Sequence, residues 1–153
     1  AAALGNSKAQ FNLGVMYRKG KGVPQDDAEA VKWYRKAAEQ GDASAQNNLG
    51  SMYKNGEGVP QDYAEAAKWY RKAAEQGNST AQNNLGIMYS EGAGVLQDNL
   101  AAHMWANIAA VKGDETTIQI RDLIAKKLSP ADLTKAQQMA KLCMKSGYKK
   151  CGD

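Results

Sequence analysis

Apolar residues recur along this chain at helical spacing, and the recurrence itself repeats. After Gly41, residues Ala45, Leu49, Met52 and Tyr53 fall on one side of a helix. After Asp62, residues Ala66, Trp69, Tyr70, Ala73 and Ala74 do the same. The run Asn55-Gly56-Glu57-Gly58-Val59-Pro60 separates the two stripes. Gly56 suits the left-handed position that closes a helix, and Pro60 blocks helix just upstream of itself. Asp42 is placed to cap the first helix, and Asp62 with Glu65 has the capping-box pattern that starts the second. Gly50 costs about 1 kcal/mol against Ala inside a helix, a cost that close approach of a neighbouring helix would recover. The pattern predicts a helical hairpin.

The hairpin is written more than once. KWYRKAAEQG stands at Lys32–Gly41 and again at Lys68–Gly77, and residues 5–40 share 26 of 36 positions with 41–76. Trp33, Trp69 and Trp105 fall in the same phase. Self-similarity at this period marks stacked supersecondary units, each burying what one hairpin leaves exposed. The expected fold is all-α, one solenoid domain with repeats at 5–40, 41–76 and 77–112. Residues 1–5 match the end of a second helix (Ala37 to Gly41), which predicts a preceding repeat and a longer parent protein. The third repeat drifts: Leu96 replaces Pro60, and Leu100 to Ile108 carries few charges. A capping region at 113–153 is expected to cover it. There, a helix over 116–128 would turn Ile120, Leu123, Ile124 and Leu128 inward. Ser129-Pro130 would open a last helix to about Lys145, with Leu133, Ala136, Met139, Ala140 and Cys143 inward.

Ala45, Leu49, Gly50, Tyr53, Gly56, Gly58, Val59, Asp62, Ala66, Trp69, Tyr70, Lys72, Ala73, Ala74 and Gly77 follow a known pattern in order. It resembles the Sel-one-like repeats (SLR), relatives of the tetratricopeptide repeats. The resemblance implies a right-handed superhelix of α-hairpins that serves as an adaptor in protein–protein assembly.

Composition changes this picture little, but charge and cysteine add to it. No apolar run is long enough to span a membrane. Residues 1–120 hold 12 basic and 13 acidic side chains, whereas 121–153 hold 8 and 3. The basic end is either a solvated face or a contact for an acidic partner. Cys143 and Cys151 are the only cysteines. A bridge between them would close a small loop, worth about 2–3 kcal/mol; two free thiols of a cytoplasmic protein are the alternative. A cysteine-rich bacterial branch of the resembled family has bridges at this C-x7-C spacing. The resemblance therefore implies a disulfide and an exported protein, periplasmic or secreted.

Candidate chemistry is sparse. One histidine, His103, and two cysteines make no zinc ligand set, so no metal or cofactor is expected. Ser51-Met52-Tyr53-Lys54 fits the S-x-x-K of serine acyl-enzymes, and members of the cysteine-rich branch have been linked to β-lactams. A β-lactam-binding or hydrolysing enzyme is thus the alternative, although Val15 and Ile87 stand at the serine's place in the other repeats. Nucleic acid is not expected, since only Tyr148 accompanies the basic end as a stacking aromatic. The first helices offer more. Opposite their apolar stripes lie Lys8, Phe11, Asn12 and Arg18, then Asn47, Asn48 and Lys54, then Asn83 and Asn84. An amide offers a donor and an acceptor, which suits an extended peptide backbone. The expected function is recognition of a protein or peptide by a monomer, along a concave groove with these residues as its contacts.

Overall fold

The computed structural model describes residues 5–152, so the expectation about residues 1–4 lies outside the described residues. Among the described residues there are eight helices and no strand: α1 (Ser7–Lys19), α2 (Asp27–Glu39), α3 (Ala43–Asn55), α4 (Tyr63–Ala74), α5 (Ser79–Glu91), α6 (Asn99–Val111), α7 (Glu115–Ala125) and α8 (Pro130–Lys145). None is long and apolar enough to cross a membrane. The chain divides into two compact units, 1–73 and 74–153.

Every helix starts on a side-chain cap. Asn6, Asp42, Asn78 and Asp114 accept the N–H of the residue three further on at the starts of α1, α3, α5 and α7. Asp26, Asp62, Asp98 and Ser129 do so for the other four. These bonds satisfy donors that the helix leaves unpaired. Asp114 keeps the phase of the caps before it, so the capping region begins in register. The capping box at Asp62 is only half made. Its carboxylate takes the Glu65 N–H, but its own N–H donates to the Tyr53 carbonyl at 2.9 Å. The same bond closes the turn at Asp26–Tyr17 and Asp98–Tyr89, which leaves the Glu65 carboxylate free to face Lys68.

Each first helix of the three repeats ends on a glycine in the left-handed region. Gly56 has φ 68° and donates to the Met52 carbonyl. Gly50 explains its own presence: a side chain there would begin 2.9 Å from the Tyr70 ring. The core of the first unit gathers Ala30, Val31, Tyr34, Leu49, Met52 and Trp69. Met16 is 36% exposed, whereas Met52, at the same place in the next repeat, is fully buried. In the second unit α6 is the central element, with Trp105, Met104 and Ile108 buried, and α7 and α8 pack against it.

The capping hairpin departs from its sequence reading in two ways. Its first helix runs Glu115–Ala125 and not 116–128, since 126–128 leave it as a turn. Ile124 is buried and Ile120 half-buried, but Leu123 is 59% exposed because no element among the described residues covers that side. In α8, Ala136, Ala140 and Cys143 are buried as the spacing predicts, while Leu133 and Met139 are half-buried. Cys143 and Cys151 are bridged, with their Cα atoms 4.6 Å apart.

Candidate partner-binding face

Two tyrosines of second helices organise the polar side of α1 and α3. Gly14 leaves room for the Tyr34 ring and Gly50 for the Tyr70 ring. The Tyr34 hydroxyl hydrogen-bonds to the Asn48 side chain, and the Tyr70 hydroxyl lies 2.9 Å from Ser51 Oγ. Burial pushes both phenols above their ordinary value. The Asn48 and Ser51 bonds, and then the positive charge of Arg18, act the other way. Arg18 is half-buried on α1. Its guanidinium also pairs with the Glu57 carboxylate at 2.7 Å, joining α1 to the turn of the next repeat. A second link runs from Arg35 to the Tyr53 hydroxyl, with the guanidinium near the ring as well.

The residues singled out from sequence fall into separate groups. Phe11 and Asn48 meet Tyr34: the Phe11 ring lies 5.8 Å from it, tilted by 41°, and the Asn48 side chain bonds its hydroxyl. The Arg18–Glu57 and Asn48–Tyr34 bonds join one repeat to the next, whereas the Phe11–Tyr34 contact lies within one repeat. Lys8 and Asn12 are exposed on α1, and Asn47 and Lys54 are half-buried on α3. The Lys54 carbonyl accepts from Gln61 at 2.8 Å. In the second unit, Asn84 is half-buried on α5. Asn83 lines a polar cavity of about 360 Å³ with Ser79, Thr80, Lys112 and Asp114, and its buried Oδ1 has no hydrogen-bond partner among the described residues.

The other candidates are quickly placed. The Ser51 hydroxyl reaches the Asn47 carbonyl and Tyr70, so its bonds run to the scaffold. His103 is buried, and burial first, then the nearby Arg121 charge, lower its pKa, with Asp122 opposing. It is held neutral. Among the described residues no group of three or more His, Cys, Asp or Glu gathers as a metal site would require.

Sequence reasoning missed the two tyrosine hydroxyls and the Glu57 partner of Arg18. A signal was present: each Trp-Tyr pair lies 20 residues after a Leu-Gly pair, so the glycine and the ring were available as partners. Tyr34 and Tyr70 lie within apolar stripes, and spacing alone reads such residues as packing.

The Sel1 repeat profile matches three consecutive segments, 7–42, 43–78 and 79–114. A solved Sel1 repeat protein from Oxalobacter formigenes is 41% identical with a TM-score of 0.71, covering 77% of this chain and 89% of that one. A protective antigen of uropathogenic Escherichia coli with an SLR fold is 48% identical, also with a TM-score of 0.71, over 72% of this chain and 24% of that one. A rat protein, DAP3-binding cell death enhancer 1, is 50% identical over 38 residues, 25% of this chain. The chain spans 8% of that rat protein's length.

Proposed function

Because the chain belongs to the Sel1 repeat family, we propose that it is an adaptor that holds an extended segment of a partner protein against the polar side of α1 and α3. Sel1 repeats are generally protein–protein interaction modules on a non-catalytic scaffold. The observation that carries the proposal is the cluster on the first unit. There the Asn48 and Ser51 side chains bond the Tyr34 and Tyr70 hydroxyls, Glu57 holds the Arg18 guanidinium, and Lys8 and Asn12 stand exposed on α1. Amides and a guanidinium held by packing supply donors and acceptors at low ordering cost, which is what an extended backbone needs. Asn83 and Asn84 extend the set within the second unit. A rat relative named for binding another protein points the same way.

The test is selection of peptides from a random display library on the whole chain, followed by affinity measurement. Asn12→Ala combined with Arg18→Gln should weaken selected peptides by at least about tenfold without changing the helical content. Peptides that bind both proteins equally would place recognition elsewhere. Export is part of the same proposal, since disulfides persist in oxidising compartments and the structure has one at Cys143–Cys151. Alkylation of the protein from its native source without reductant should label no cysteine; two labels would sink the export reading.

A further inference from the structure

The second unit carries a basic surface of its own. From Leu133 to Gly152 the chain carries five lysines and no acidic residue. In their midst Leu142 is 60% exposed on α8. It borders two open cavities. One, of about 460 Å³, is lined by Lys135, Met139, Leu142 and Lys150; the other, of about 440 Å³, by Leu142, Lys145, Lys149 and Lys150.

The segment after α8 is built to hold these lysines in place. Ser146 Oγ accepts the Lys149 and Lys150 backbone N–H groups at 3.1 and 2.9 Å, and the Cys143–Cys151 bridge fastens the loop to α8. Tyr148 takes φ 67°, an uncommon conformation for a bulky residue, and its ring packs on Gly77. Like charges so arranged repel one another, and anionic groups placed among them would relieve that repulsion. An exposed leucine between cavities calls in addition for an apolar side chain.

We propose that this surface docks an acidic segment of a partner protein, one that carries an apolar side chain between its carboxylates. The concavities beside Leu142 fit a side chain better than a flat bilayer. Tyr148 is engaged with Gly77 and offers no free stacking platform for nucleic-acid bases. The proposal is independent of the α1–α3 reading.

Two labelled peptides test it on the whole chain by fluorescence anisotropy. One is a short run of glutamates around a central leucine; the other has glycine in place of that leucine. The leucine peptide is expected to bind about tenfold tighter, and both should weaken as salt rises. Lys149→Glu with Lys150→Glu should weaken both by at least about tenfold. Lys145→Glu, on the last residue of α8, should shift both the same way and keeps the test standing if the double variant misfolds. Leu142→Ser should abolish the difference between the peptides and leave the glycine peptide unchanged. Asn12→Ala with Arg18→Gln should alter neither. Equal binding of the two peptides, or unchanged binding by the charge-reversed variants, would overturn the proposal. So would tighter binding to phosphatidylglycerol vesicles or duplex DNA than to the leucine peptide.

Discussion

Helices α4 and α6 occupy the same place in successive repeats, yet they meet different surroundings. Lys68 and Lys72 are exposed on α4, whereas Met104 and Ile108, at the same positions of α6, are 0% and 3% exposed. The reason is α8, which packs on α6 within the second unit. The other side of the helix changes as well. Gly50 faces the Tyr70 ring, but Ala106 stands at the tyrosine's place in α6. There Gly86 meets backbone directly, with the Ala102 carbonyl 3.0 Å from a Cβ built on it. The equivalent Ala66 carbonyl lies 3.2 Å from a Cβ at Gly50, so losing the tyrosine keeps the close helix approach and removes the ring and the hydroxyl that organises the first unit's polar side. The repeat frame is thus one template fitted to two tasks: presenting a polar face, and seating a cap.

Restoring the repeat letter where the cap sits should break the second unit. Met104→Lys would bury an ammonium group without a counter-ion, and a loss of about 3–5 kcal/mol is expected in chemical denaturation. The reverse change, Lys68→Met, should stay within about 0.5 kcal/mol, because that side chain is exposed. Similar losses for both would mean that α8 does not shield α6 in solution.

Next in size is the bridge that closes the end of the cap. Cys151→Ser should cost about 2–3 kcal/mol, and a reductant should lower the stability of the parent protein but not of the variant. A smaller effect belongs to the glycine contact. Gly50→Ala places a methyl 2.9 Å from the buried Tyr70 ring, which should cost about 1–2 kcal/mol after the gain in helix propensity. Adding Tyr70→Phe should not rescue it, whereas Tyr70→Ala should recover part, as a double-mutant cycle would measure.

Most of the scaffold was legible in the sequence because its signals are local. Asp42, Gly56 and Ser129-Pro130 act within a few residues of themselves, and each does in the structure what its type predicts. What escaped depends on partners distant in sequence. Arg18 finds Glu57 39 residues away, and Asn48 finds Tyr34 across a turn. The letters alone leave such polar residues as surface. The half-made box at Asp62 failed for the same reason, since its N–H was claimed by Tyr53 from the preceding helix. Leu123 has the spacing of a buried residue, but spacing does not say whether a neighbour exists to cover it.

The subtlest difference between α4 and α6 is Ala67 against His103, both buried. Burial lowers the His103 pKa from its ordinary value of 6.5; from α7, Arg121 lowers it further and Asp122 opposes. The unfolded chain therefore binds a proton at His103 more readily than the folded one. By linkage, stability is unaffected above about pH 6.5 and is lost as pH falls below that, until the lower folded value is reached. Asp114 contributes in a separate window: its pKa is lowered by hydrogen bonds from Thr117, so its share is lost only as pH falls through and below the carboxylate range. Denaturation midpoints at pH 7 and pH 5 should thus differ for the parent protein and nearly coincide for His103→Gln, whose side chain does not titrate. Equal pH slopes in the two proteins would show that His103 is already solvated in the folded state, and that α7 does not seal α6 as it does in the structure.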